Sequence, residues 1–154
     1  MTILTLDQAT KTGYAVSIDG KIVEYGVIEA KHADYDMKIH IIKQGVEAIV
    51  AKYAPALITI EDVQFQNNYE VYYKLSKLQG VLIEYCIQNE FLYEVIPPVK
   101  WKGKMLIKGK KREEQKANAI LLANSHGYNI SDEDIADAIC MNLYANKCIN
   151  VKGV

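Results

Sequence analysis

Two short runs of strand-forming residues in this chain each end on a carboxylate. Thr2-Ile3-Leu4-Thr5-Leu6 leads into Asp7, and Leu57-Ile58-Thr59-Ile60 leads into Glu61. The second run is almost wholly apolar, the composition of a strand covered on both faces. Such a strand needs helices above and below it. An acid at its end must meet water or positive charge, because an unpaired buried carboxylate is costly.

The rest of the chain supplies those layers. Residues 2–8 read as a first strand, Thr12–Ile18 as a second and Lys21–Glu29 as a third, with Asp19-Gly20 a strong two-residue hairpin signal between the last two. From Tyr35 to Tyr53 the apolar residues Ile39, Ile42, Val46, Ile49 and Val50 recur at helical spacing, and Ala54-Pro55 ends that helix. Leu57–Glu61 is the fourth strand. A second helix covers Tyr69–Asn89, and Phe91–Ile96 is a fifth strand stopped by Pro97-Pro98. After room for a short helix over Pro98–Lys104 and a basic loop, helices follow over Arg112–Ser125 and Asp132–Lys147. The order β-β-β-α-β-α-β-α-α argues for an α/β fold, a five-stranded mixed sheet flanked by helices. A right-handed crossover sets the fourth strand beside the first, bringing Asp7 and Glu61 to one edge of the sheet. At 154 residues the chain is expected to form one domain over 1–154.

Several function classes lose ground on composition. No apolar run approaches the roughly 18 residues of a membrane span and the N-terminus has no signal-peptide pattern, so a cytoplasmic location is the expectation. Cys86, Cys140 and Cys148 are odd in number and form no C-x-x-C pair, as expected of reduced, mostly buried thiols. His32, His40 and His126 are scattered, with no metal-box spacing.

Two more acids lie in Ser131-Asp132-Glu133-Asp134-Ile135-Ala136-Asp137-Ala138-Ile139. Ser131 with an acid three residues on is a capping-box pattern, and acids suit the positive end of a helix dipole, so Asp134 has a purely structural explanation. Asp137 has none: it lies one turn into the helix among apolar residues. At i, i+3 the two project from one face, and Ala136 and Ala138 let that helix come close to the sheet. Asp7 could simply end its strand in a turn. Glu61 is harder to dismiss, since Glu is a poor strand residue and Asp62 follows it, so one of the two must face inward. Brought together, Asp7, Glu61, Asp134 and Asp137 would form an oxygen-lined site for hard divalent cations such as Mg²⁺, the equipment of a two-metal phosphodiester hydrolase.

The charge distribution agrees. Residues 100–116 hold Lys100, Lys102, Lys104, Lys108, Lys110, Lys111, Arg112 and Lys116 against Glu113 and Glu114, a local +6 on a chain whose net charge is −1. A basic segment on an otherwise acidic chain is an electrostatic footprint for phosphate, though a solvated loop has the same composition.

The opening Asp7-Gln8-Ala9-Thr10-Lys11-Thr12-Gly13-Tyr14-Ala15 resembles the D-P-G-x-x-x-T-G-Y/W-G/A signature of the RuvC-type Holliday junction resolvases, within the RNase H-like superfamily. Thr12-Gly13-Tyr14 is kept, one residue closer to the aspartate, while Gln8 and Ala9 replace the signature's Pro and Gly. Glu61-Asp62-Val63-Gln64 is similar to the segment around the family's second acid, and Asp134-Ile135-Ala136-Asp137-Ala138 to its D-A-A-D-A segment. The resemblance covers essentially the whole chain; the departures and compact length look more like a phage-encoded member. It implies an RNase H-like fold and a homodimer that nicks one strand per subunit of a four-way or branched DNA junction, leaving 5′-phosphate and 3′-hydroxyl ends. It implies two Mg²⁺ ions per site, with Mn²⁺ able to substitute, held by Asp7, Glu61, Asp134 and Asp137. By the same resemblance Lys110 or Lys111 nears the scissile phosphate, and Phe65 stacks at an opened junction base. Lys100, Lys102, Lys104, Lys108 and Arg112 are expected to hold backbone phosphates, and the resemblance implies a dimer contact on the helix of residues 69–89. Other readings are an RNase H-like nuclease for hybrids or flaps, a non-catalytic junction-binding protein, and an actin-like kinase. The last is disfavoured by chain length and the lack of a Gly-rich phosphate loop.

Overall fold

The hairpin forms as the sequence dictates. In the computed structural model, which describes residues 1–149, β2 (Lys11–Ile18) turns through Asp19 and Gly20, both at positive φ, into β3 (Lys21–Glu29). Residues 150–154 of the expected 1–154 unit lie outside the described residues. β1 (Thr2–Asp7) pairs antiparallel with β2 and parallel with β4 (Leu57–Glu61), and β4 pairs parallel with β5 (Tyr93–Ile96), giving the order β3-β2-β1-β4-β5. The fourth strand therefore lies beside the first. Beyond the Leu6–Ile60 pair, Asp7 and Glu61 come next on neighbouring strands.

Helices cover both faces. α1 (Tyr35–Tyr53) begins on an Asp34 cap and ends at Ala54, left-handed before Pro55. With α2 (Tyr69–Gln88) it packs on one face, against Leu4, Leu6, Ile58 and Ile60. The short helix forms as α3 (Pro98–Lys104), so the element order ends in three helices. α3, α4 (Arg112–Ser125) and α5 (Glu133–Cys148) lie on the other face, where Trp101, Ala119, Ala123, Ala136, Ile139 and Met141 are buried together. The pleat alternates sides at every residue. Since Leu4 and Leu6 face α1 and α2, Ile3, Thr5 and Asp7 face α5; in β4, Leu57, Thr59 and Glu61 do the same.

Two local expectations are corrected. Asp132, not Ser131, caps α5, accepting from the backbone N–H groups of Asp134 (2.9 Å) and Ile135 (3.2 Å). β5 starts at Tyr93 rather than Phe91, because Glu90 takes a positive φ and swings Phe91 against Tyr85 in the α1–α2 core. Cys86 and Cys140 are buried free thiols and Cys148 is a half-buried one. Among the described residues no helix is long and apolar enough to cross a membrane.

Candidate active site

The site lies where the C-terminal ends of β1 and β4 meet the first turns of α5. Asn142, fully buried one turn beyond Asp137, pins the helix there. Its amide donates to Thr5 Oγ1 (3.1 Å) and to the carbonyls of Ile3 and Ala15 (both 3.3 Å). Gly13 lets the helix come close: opposite Asp7 in the β1–β2 ladder, it lies directly beneath the Asp134 carbonyl, where an added Cβ would be only 2.1 Å from the oxygen. Lys11 forms ion pairs with Asp132 and, at 3.4 Å, with Asp134, tying β2 to the same turn.

Asp7, Glu61, Asp134 and Asp137 are thus brought into one electrostatic unit. Burial raises the Asp7 carboxyl well above the ordinary range, and repulsion from Glu61, Asp137 and Asp134 raises it further against an opposing pull from Lys116. Burial likewise pushes Glu61 up to about 7. Asp137 adds to that rise, while Lys102, the Trp101 hydrogen bond and Lys116 oppose it. Two carboxyls pushed upward chiefly by burial, with neighbouring acids adding to the rise, mark a place where negative charge is costly without a cation.

Lys116 is the residue that sequence reasoning did not single out from the basic run. It is buried on α4, its Nζ 2.7 Å from Asp137 Oδ2 and 3.7 Å from Asp134 Oδ1. Burial works against its charge, but attraction to Asp137, Asp7 and Asp134 lifts its pKa above the ordinary value. A signal was present: Lys116, Ala119 and Ala123 share the buried stripe of α4, so this lysine is in phase with the helix's core face. As the side chains stand, no three acids among the described residues converge tightly enough to chelate one metal ion. The ammonium of Lys116 is the cation that Asp137 holds, and Asp134 lies between it and Lys11. The donor set nevertheless suits a hard divalent cation: it is all carboxylate oxygen, and Asp137 Oδ1 is buried with no hydrogen-bond partner.

Glu61 is held from three sides. Trp101 Nε1 donates to its Oε2 at 2.8 Å, Gln8 Nε2 donates to its carbonyl at 3.0 Å, and the next residue, Asp62, donates its N–H to Ile96 O. Gln8, standing where the family signature has proline, also reaches Gln79 of α2 at 2.7 Å. Gln79 in turn bonds Asp62 and the Val63 N–H.

The remaining candidates are peripheral. Lys100, Lys104, Lys108, Lys110, Lys111 and Arg112 are exposed, and Lys102 is half-buried beside Glu61. Lys100 pairs with Glu94 at 3.3 Å, and the Lys110 N–H donates to Glu114. Phe65 is 59% exposed, edge-on to Tyr72, and Tyr69 and Tyr73 stack on each other nearby in α2.

Known proteins are similar to this chain in sequence and in fold. The family model for the crossover junction endodeoxyribonuclease RuvC matches residues 3–144. The RuvC of Brachyspira hyodysenteriae is 26% identical over 124 residues, covering 80% of this chain and 76% of that protein. That of Caldicellulosiruptor saccharolyticus is 30% identical over 105 residues, 63% of each. Among solved structures, T. thermophilus RuvC in complex with Holliday junction substrate superposes with a TM-score of 0.75 at 15% identity, covering 96% of this chain and 97% of that one. The yeast mitochondrial Holliday junction resolvase Ydc2 gives 0.58 at 14% identity, covering 94% and 80%. With the family model spanning nearly its whole length, this chain belongs to the RuvC family of crossover junction endodeoxyribonucleases.

Proposed function

We propose that this protein is a metal-dependent endonuclease that resolves four-way DNA junctions by paired nicks, as a single-domain subunit of a homodimer in the cytoplasm. One observation carries the reading: in a member of the RuvC family, carboxylates from two adjacent strands and one helix are placed at a single end of the sheet, with the buried Lys116 among them. That a relative of the same fold was solved with Holliday junction substrate supports the substrate class.

Asp7 would be shared between two Mg²⁺ ions, Glu61 would complete one site, and Asp134 and Asp137 the other, with Mn²⁺ as a substitute. When bound, such a pair lowers the pKa of a water for in-line attack and stabilises the leaving 3′ oxygen, giving 5′-phosphate and 3′-hydroxyl ends. The chain's own residues do the rest. Lys116 balances the acids before cations arrive. Lys102 beside Glu61 adds positive charge at the site's rim. The exposed Lys100, Lys104, Lys108, Lys110, Lys111 and Arg112 hold backbone phosphates, which positions DNA without reading its sequence. Lys110 or Lys111 approaches the scissile phosphate on this reading. Phe65 stacks on an unpaired base, worth about 1–3 kcal/mol. The exposed Tyr69, Val71 and Tyr73 at the start of α2 support that helix as the dimer face.

The test is incubation with a synthetic four-way junction, an RNA–DNA hybrid and a flap, with and without Mg²⁺, mapping nicks on each strand. The wild-type protein should nick the junction symmetrically and only with metal, and Asp7→Asn should bind it without cutting. Cleavage of hybrid or flap with the junction left intact overturns the substrate class. Junction binding without metal-dependent nicking overturns the enzyme.

A further inference from the structure

Trp101 is the chain's only tryptophan, fully buried on α3. An indole N–H can only donate, and a buried one needs an acceptor. Here that acceptor is Glu61 Oε2. The bond is charge-assisted when Glu61 is ionised, and it comes from a ring immobilised among Ile96, Ile107, Ile139 and Met141 of the same core. Glu61's backbone is already fixed by Gln8 and by the Asp62–Ile96 bond, so the freedom left to this residue is in the torsions of its side chain. The indole removes it. Among the described residues no hydrogen bond or ion pair takes Oε1, so the clamp holds one oxygen and leaves the other free.

We infer that Trp101 is a positioning residue for cation binding: by holding Glu61 through Oε2 it presents Oε1 as a ready-oriented ligand. The inference rests on Glu61 being a metal ligand, as proposed above. Groups that orient a ligand from behind typically account for about 10–100-fold in metal affinity. Because the clamp is the sole tryptophan, its emission also reports directly on what happens at Glu61.

Three proteins test this: wild type, Glu61→Gln, and a variant carrying 3-benzothienylalanine at 101, which keeps the ring's shape and loses the N–H. Trp101→Phe serves as a second donor-free variant. Each is titrated with Mn²⁺ and followed by the metal-induced rise in Tm, which reports affinity whether or not DNA is cut. Indole emission is recorded in the first two. The wild type should show saturable changes in both signals, and Glu61→Gln should lose them. The donor-free variants should fold with a metal-free Tm close to wild type, for the benzothienyl form at least, and need about 10–100-fold more Mn²⁺. If Glu61→Gln binds as wild type does, Glu61 is not a ligand and the inference falls with that reading. If Glu61→Gln loses binding while the benzothienyl variant keeps wild-type affinity, the ligand assignment stands and the clamp alone is overturned. Wild-type emission indifferent to saturating Mn²⁺ also overturns the clamp.

Discussion

Gly13→Ala tests how tightly α5 must sit on the sheet. The new Cβ would stand 2.1 Å from Asp134 O and 2.5 Å from Asp134 C, backbone atoms that no rotamer change can move. An ordinary carbon–oxygen contact is about 3.3–3.6 Å, so the first turn of α5 must retreat by roughly 1 Å. It cannot slide away as a whole, because Asn142 fastens the helix to β1 and β2. It has to pivot there, lifting Asp134 and Asp137 from Asp7 and straining the pairing of Lys11 with Asp132 and Asp134. Overpacking of this kind costs about 1–3 kcal/mol, or a Tm lower by about 2–12 °C in a protein of this size. A displacement near 1 Å of reacting groups costs on the order of 100-fold in rate. The assay is single-turnover nicking of a four-way junction at saturating Mg²⁺, beside thermal unfolding and metal-free junction binding. Cleavage should fall about 100-fold, with binding nearly unchanged, since the exposed basic residues are untouched. Gly80→Ala, with nothing within 4 Å of its Cβ, should leave Tm unchanged or raise it. Gly13→Ala nicking within about threefold of wild type would refute the argument that this close approach sets the geometry.

Other perturbations probe the charge cluster. Glu61, raised from 4.5 to about 7, and Asp7, raised by the same burial, hold their protons more tightly folded than unfolded. The metal-free protein should therefore lose stability as pH rises from about 4.5 to 7, by about 3 kcal/mol from Glu61 alone, and Mg²⁺ should abolish the slope. Urea denaturation at pH 5 and 8 reads this, and greater metal-free stability at pH 8 would contradict the clustering. Lys116→Met strips Asp137 and Asp134 of their buried counter-charge and should cost about 3–5 kcal/mol without metal, much of it restored by Mg²⁺. A metal-free stability equal to wild type would show the pair to be dispensable. Reversing Lys110 and Lys111 to Glu should weaken junction binding and flatten its dependence on salt. Identical salt slopes in both proteins would remove them from the interface.

What the sequence announced and what it concealed divide along physical lines. The period-two phase of Ile3, Thr5 and Asp7, and the apolar Leu57–Glu61 run, are local patterns, so the β1–β4 pairing and the facing of both acids could be read directly. Asp134 and Asp137 were legible for the same reason, as a helical i, i+3 pair. Partners chosen by packing were not. Trp101 meets Glu61 across 40 positions, and Asn142 meets Ile3 across 139, with no local pattern to join them. Lys116 looked like its solvated neighbours until α4's phase against α5 was fixed. Ser131 and Asp132 are both good caps, and the choice fell to the residue that Lys11 also engages.

The pleat that turns Asp7 and Glu61 toward α5 has a consequence for the newly made chain. Slipping either strand by one residue would swing its acid over to the greasy side, among Leu78, Leu82 and Ile42, and strand the leucines opposite Asn142. A misaligned molecule would then not bring Asp7 and Glu61 together with the acids of α5. An enzyme that severs genetic material is in this way kept harmless until its strands are correctly aligned.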